Sequence, residues 1–428
     1  MTHPSGASDS QGVEEARSYA FRVSLFYAAV FLIYGFNVPY LPLWLGWRGL
    51  SDAEIAIVTA APFFLRLAFT PVVAVAADRA GRHSRFIAVL AIAGLAAALV
   101  LSGVQGFWPI LLASLVFALT TMTIMPLTET VAIGGVRAFG LDYGRMRLWG
   151  SMTFIAIGAA GGALVTSTGA WVILPVLVAA AAVTAVAAFM LPRPPQRDIT
   201  QTAGTHFSWR DVYQLVRSPL FLVFLFATGA VQGAHAMFYT FGALHWSAQG
   251  ISPAWAGSLW AVAVSAEVLL FAYSASLLRV MGPLQLLLAG AASAVVRWLA
   301  MSFDPPLAML FPLQLLHAFT YGATHLAAIH FIHRAIPPAA AGTAQSLYAT
   351  VAAGLMMGAA TLASGPLYGA AAGLAYLAPS ALALTGFIAG FVIYRSWDGN
   401  PLWAGSPMEP APATSPTAPA EAVQSGQP

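Results

Sequence analysis

Asp78-Arg79-Ala80-Gly81-Arg82-His83-Ser84-Arg85 is a short charged turn set between two long apolar stretches, 53–77 and 86–105. Each stretch has about the 20 residues that a helix needs to cross the hydrocarbon of a bilayer. The same alternation of apolar run and short polar turn continues in both directions. Spans are expected at roughly 21–45, 53–77, 86–105, 107–129, 146–166, 170–191, 219–245, 254–278, 283–301, 306–330, 342–363 and 368–394. The fold class is therefore an all-α membrane protein with twelve transmembrane helices.

Composition points the same way. Of 428 residues, 59% are hydrophobic and 8% charged, against about 25% charged in a soluble domain. Without cysteine there is no disulfide framework and no thiolate metal site. All 18 basic residues are arginine. They sit in short loops, which makes them topology signals and not a nucleic-acid-binding face. The polar first twenty residues carry no cleavable signal-peptide pattern.

With the N-terminus inside, every loop arginine except Arg48 falls on the inner side. That bias predicts a multi-pass protein with both termini cytoplasmic; the membrane expected is the bacterial inner membrane. The longest inner loop, 192–217, is read as a cytoplasmic linker. It separates six-helix bundles at 17–191 and 218–395, the division expected of bundles that rock about a central site. Residues 1–16 and 396–428 are read as disordered tails. The runs from Gly158 to Gly162 and from Gly354 to Gly358 place small residues at helical spacing, as close helix packing requires.

Only two acids, Glu129 and Glu267, lie well inside apolar spans. Such residues usually face a polar cavity, pair with each other and mark a substrate or ion path; a purely structural ion pair is the other reading. Arg147 opens the span after Glu129, and on a helix it shares a face with Ser151, Phe154 and Gly158. A guanidinium suits a carboxylate because it donates two parallel hydrogen bonds. Glu267 has no basic neighbour in sequence, so its partner must come from another helix, with Arg297 and His317 the candidates. Gln232, His235 and Tyr239 share one face of the seventh span; His317, Tyr321 and Thr324 share one of the tenth. Both faces are expected to line the cavity. Asn37 and Tyr34 could reach it from the first span, and His245 is expected at the outer interface. His325 and His330 accompany His317 without a carboxylate, so no metal site is expected. Arg66, Arg147 and Arg297 against Glu129 and Glu267 leave one positive charge for a monoanionic substrate, unless Arg66 pairs with Asp78 or a helix end.

The Asp78–Arg85 turn resembles the signature loop of the major facilitator superfamily, with Ala74 where that signature usually opens with Gly. Leu277-Leu278-Arg279-Val280-Met281-Gly282-Pro283 is its degenerate echo. The resemblance implies two pseudo-symmetric six-helix bundles and a gating role for Asp78, Arg79, Gly81 and Arg82. The stretches Gln232–Tyr239, Leu259–Phe271, Val296–Trp298, Leu316–Ala328 and Tyr143–Ser151 look like the phenylpropionate permease family within it. That likeness implies a proton-coupled importer of small substrates, with aromatic carboxylic acids as the name-giving class. A more distant similarity to the lactose permease family implies substrate contacts from Glu129, Arg147 and Phe154. It also implies proton coupling through Glu267, Arg297 and His317. Where that family carries a proton on a glutamate, this chain has Thr320.

The function expected is secondary active import by alternating access. Candidate substrate contacts are Asn37, Glu129, Arg147, Ser151, Phe154, Gln232, His235 and Tyr239. No cofactor is expected; the partners are a small molecule, protons and the lipid bilayer around a functional monomer. No nucleophile with its base, nucleotide cradle or symmetric filter speaks for an enzyme, primary pump or channel. The alternatives are a sugar or nucleoside transporter, or a substrate sensor on the same scaffold.

Overall fold

The computed structural model describes residues 6–193 and 209–403. The parts of the expected linker and tails at 194–208, 1–5 and 404–428 lie outside the described residues. All regular elements among the described residues are helical. That follows from apolar runs which must satisfy every backbone group internally. The first half comprises α1 (Gly6–Trp47), α2 (Asp52–Ala80), α3 (His83–Gly103), α4 (Phe107–Phe139), α5 (Tyr143–Thr168) and α6 (Ile173–Met190). A short surface helix, α7 (Trp209–Arg217), leads into the second half. There α8 (Pro219–Gly233) and α9 (Ala236–Ala248) form one bent span, followed by α10 (Pro253–Ala272), α11 (Ser274–Val280) and α12 (Pro283–Met301). Then come α13 (Leu307–Leu315), α14 (Thr324–Ala335), α15 (Pro338–Ala349), α16 (Met357–Ala371) and α17 (Leu377–Ser396).

Ten stretches of the described residues are long and apolar enough to cross a bilayer. One of them, Ala340–Ser396, has 57 residues, and at about 1.5 Å per residue it would far exceed a bilayer as a single rod. It turns at Ala372, whose φ is 46°, into α16 and α17. The remaining span is broken in the middle: α13 and α14 are joined through a π turn at Ala318–Ala323. A second π turn, Thr350–Met356, joins α15 to α16.

Packing within the halves repeats. In the first, α1 packs on α5 and α6, α3 on α4 and α6, and α2 on α4. In the second, α8 packs on the Thr350–Met356 turn and α17, α12 on α14 and α17, and α10 on α13 and the Ala318–Ala323 turn. These are the same relations between the same span positions, as expected of a duplicated six-helix unit. The halves join through α5 with α10, α2 with α16 and α1 with α9.

Those joints lie at one end. Gly158 faces Gly257, Gly162 faces the Pro253 carbonyl, and Gly365 lies against Asp52 and Ala56. Small residues let these backbones approach closely. The buried Tyr40 hydroxyl donates to the Gly158 carbonyl at 2.5 Å, and the Ala254 amide donates to Thr166 Oγ1 at 2.9 Å. The crossing continues to mid-helix, with Phe64 and Leu67 on Gly358 and Gly354 and with Phe154 6.3 Å from Trp260. Beyond these positions, towards the arginine-rich end, no hydrogen bond, ion pair or aromatic pair joins the halves among the described residues. The bundles therefore part at that end.

Several boundaries differ from expectation. Helix α1 begins at Gly6, inside the stretch read as a disordered tail, and α4 runs past Glu129 to Phe139. Hydropathy marks the apolar part of a helix, whereas the helix itself continues into water. The stretch after α17 is also ordered: Trp397 sits 5.0 Å from Phe331, and the Leu402 amide donates to the Ala335 carbonyl at 2.7 Å. Within the expected linker, α7 buries Leu215 and leaves Tyr213 exposed.

Candidate functional site

The second bundle holds a continuous polar chain. Arg297, fully buried on α12, donates from Nη2 to Gln314 Oε1 at 2.7 Å and from Nη1 to Thr320 Oγ1 at 3.2 Å. Its Nη1 also meets His317 Nδ1 at 3.2 Å. Because a guanidinium only donates, His317 Nδ1 is an acceptor and the proton of the neutral ring sits on Nε2. That nitrogen lies 3.4 Å from Glu267 Oε2. On the other branch, His235 Nδ1 faces the carbonyls of Val231 and Gln232 at 3.1 and 3.2 Å, so it carries the proton. His235 Nε2 then accepts from Thr320 at 2.9 Å. The direction of donation is thereby fixed from Arg297 to His317, and from Arg297 through Thr320 to His235, while Glu267 stands at ion-pair distance from the His317 ring. Phe238 and Trp298 cover the guanidinium, their ring centres 5.1 and 4.5 Å from it.

The π turn makes this arrangement. It carries Thr320 and Tyr321 directly after His317 and stacks the Tyr321 and His317 rings at 5.4 Å and 13°. An extra residue per turn shifts the register that follows. Thr324, expected on the His317 face, packs on Gly290 of α12 instead.

The first bundle supplies the second half of the site. Arg147 Nε stands 3.8 Å from Glu129 Oε1, and its guanidinium lies 4.2 Å from the centre of the Phe31 ring. Tyr27 and Tyr143 stand close enough to Glu129 to feel its charge. Arg147 Nη1 is buried without a hydrogen-bond partner. The side chains of Glu129, Arg147 and Glu267 keep 33%, 30% and 21% of their surface exposed, so none of the three is sealed within its bundle. Arg147 on α5 and Glu267 on α10 lie within electrostatic reach of one another.

Glu129 thus stands beside Arg147, and Glu267 beside His317, one of its two candidate partners, with Arg297 on the far side of that ring. Phe154 joins Trp260 at the closed margin, with Tyr239 5.5 Å from the same indole; Ser151 is half-buried one turn before Phe154. Asn37 keeps its Oδ1 buried without a partner. Gln232 and His235 are a correction. They are 5% and 0% exposed, with Gln232 Nε2 donating to the Tyr321 carbonyl at 3.4 Å, so they lie behind the cavity wall in this conformation. The bend between α8 and α9 turns them into the bundle, which a straight-helix reading misses.

At the arginine-rich end, Asp78 pairs with His83 Nε2 at 2.7 Å, tying the end of α2 to the start of α3. Gly81 closes α2 at φ 60° with its amide directed to the carbonyls of Ala77 and Asp78. Arg79 and Arg82 are exposed, so histidine, not arginine, makes the tie. Expected at an interface, His245 is instead buried at 4%, with Nε2 2.9 Å from Asp304 and Nδ1 3.3 Å from Tyr368. Sequence reasoning also passed over Gln314 and Trp260. Gln314 was findable, as a lone amide three residues before His317 in an apolar span.

Residues 20–378 match the family described as the MFS_1 like family. The chain is 33% identical over 353 residues to a probable 3-phenylpropionic acid transporter of Escherichia coli (strain K12), covering 81% of this chain and 90% of that protein. It is 28% identical over 346 residues to the maltose permease of Geobacillus stearothermophilus, covering 80% and 86%. The crystal structure of the nucleoside transporter NupG superposes with a TM-score of 0.76 over 89% of this chain and 100% of that one, at 15% identity. That last likeness speaks to the shared fold.

Proposed function

Since the chain belongs to the MFS_1 like family, a family of transporters, we propose that it is a proton-coupled importer of a small aromatic carboxylic acid of the 3-phenylpropionate kind. The observation that carries this reading is a half-buried carboxyl, Glu267, which among the described residues has His317 and no arginine at ion-pair distance and is linked through that ring to the sealed Arg297. A group placed so can take up a proton from one side and release it to the other as the bundles rock. Asn37, Glu129, Arg147, Ser151, Phe154 and Tyr239 hold the substrate, with rings for its aromatic body. Thr320 cannot carry the proton. It orients Arg297, leaving Glu267 as the proton carrier, with Arg297 and His317 setting its surroundings.

In this reading the arginine-rich end faces the cytoplasm of a bacterial cell, both termini are cytoplasmic, and the protein works as a monomer in the inner membrane. The bundles at 17–191 and 218–395, joined by the linker at 192–217, alternate access about the site. The conformation described, closed at the opposite end, is then open to the inside. The aromatic acid is favoured over sugars and nucleosides by the name of the 33%-identical relative, a probable 3-phenylpropionic acid transporter, and by the rings of Phe154, Tyr239 and Trp260.

The test is uptake of labelled 3-phenylpropionate, uridine and maltose by proteoliposomes under an inward proton gradient. Accumulation of the acid alone is expected. Accumulation of uridine or maltose with none of the acid would replace the substrate class.

A further inference from the structure

Three arginines lie in the interior of the spans, and the structure treats them differently. Arg297 is sealed, with Gln314, Thr320 and His317 around its terminal nitrogens. Arg147 has Glu129 beside it. Arg66 on α2 has neither: among the described residues no carboxylate lies within ion-pair distance of it and no side chain or carbonyl accepts from it. Asp78, the partner considered from sequence, is taken by His83. Arg66 is half-buried, on the face that carries Thr70, whose hydroxyl bonds to Thr123 of α4 at 2.8 Å. Leu67 and Phe64, on the adjoining face, close the joint to α16. Arg66 therefore stands where α2 leaves the joint and the cavity begins, within electrostatic reach of Tyr34 on α1 and Tyr321 on the π turn.

An uncompensated guanidinium at this depth is costly unless a ligand answers it. We propose that Arg66 is the anchor for the substrate's carboxylate, with Arg147 and Glu129 contacting the remainder. This rests on the reading of the site as an organic-acid cavity. The placement also bears on coupling. Arg66 and Glu267 both lie within electrostatic reach of Tyr321, which stacks on His317. A carboxylate at Arg66 and a charge on Glu267 repel one another, so anion binding and protonation of Glu267 favour each other, reciprocally.

The test measures binding by the purified full-length protein in nanodiscs, for wild type, Arg66→Gln and Arg66→Lys. The ligands are 3-phenylpropionate and its neutral analogue 3-phenylpropanol. Loss of a charge-assisted pair predicts that Arg66→Gln weakens the acid about tenfold or more and leaves the alcohol unchanged. Arg66→Lys, which keeps the charge without the fork, falls between. Unchanged affinity for the acid in Arg66→Gln, or equal loss of both ligands, would overturn the assignment and leave the organic-acid reading standing. A folded wild type that binds neither ligand would overturn both.

Discussion

At the residue scale, the donor logic around Arg297 makes Thr320 a positioning residue. Its oxygen accepts from Arg297 while its proton goes to His235. Thr320→Val keeps the volume and removes both bonds, leaving a buried guanidinium under-satisfied. A loss of about 1–3 kcal/mol of stability is expected, read as a lower melting temperature, and Thr320→Ser should restore most of it. Equal melting of the valine and serine variants would contradict the positioning role of the hydroxyl. Much of this cluster was legible in the chain, because Glu267, Arg297 and His317 are ionisable groups in apolar spans. The role of Thr320 was not. A hydroxyl in such a span usually bonds to its own helix, and only the neighbouring helices show otherwise. Burial of His235 was hidden for a related reason: helical spacing assigns a face, and the bend at Gly233–His235 turns it.

Among the elements, glycine sets how the halves close. Gly158 and Gly257 bring α5 and α10 together, and a Cβ on Gly257 would run into the Gly158 backbone and the Tyr40 hydroxyl. Gly257→Val is therefore expected to hold that end apart. Spin labels placed across the α5–α10 end should report a longer distance than in wild type, with transport lost and ligand binding kept. A wild-type distance in the variant would contradict the view that this crossing is the gate. The glycine runs could be read from sequence as packing surfaces, but which helices they join could not. Nor could the two π turns, since Ala318–Ala323 and Thr350–Met356 carry ordinary apolar residues. In the fold, His317 at the first meets Glu267 and Gly354 in the second meets Leu67.

Across the whole molecule, duplication, charge and shape converge. Two six-helix units with the same internal packing meet at one end and part at the arginine-rich end. The all-helical membrane fold was legible because bilayer thickness fixes segment length. Helix ends were less so, since α1 and α4 extend beyond their apolar cores. The state of the gates was not legible at all, because both conformations of a rocking pair share one hydropathy pattern. The proposed cycle rests on Glu267 as the group that changes charge between those states. Its direct measurement is accumulation of labelled 3-phenylpropionate in proteoliposomes with an imposed inward proton gradient, comparing wild type with Glu267→Gln. The account predicts gradient-driven accumulation in wild type and its loss in Glu267→Gln, with exchange of substrate across the membrane retained. Equal gradient-driven accumulation by both proteins would contradict it.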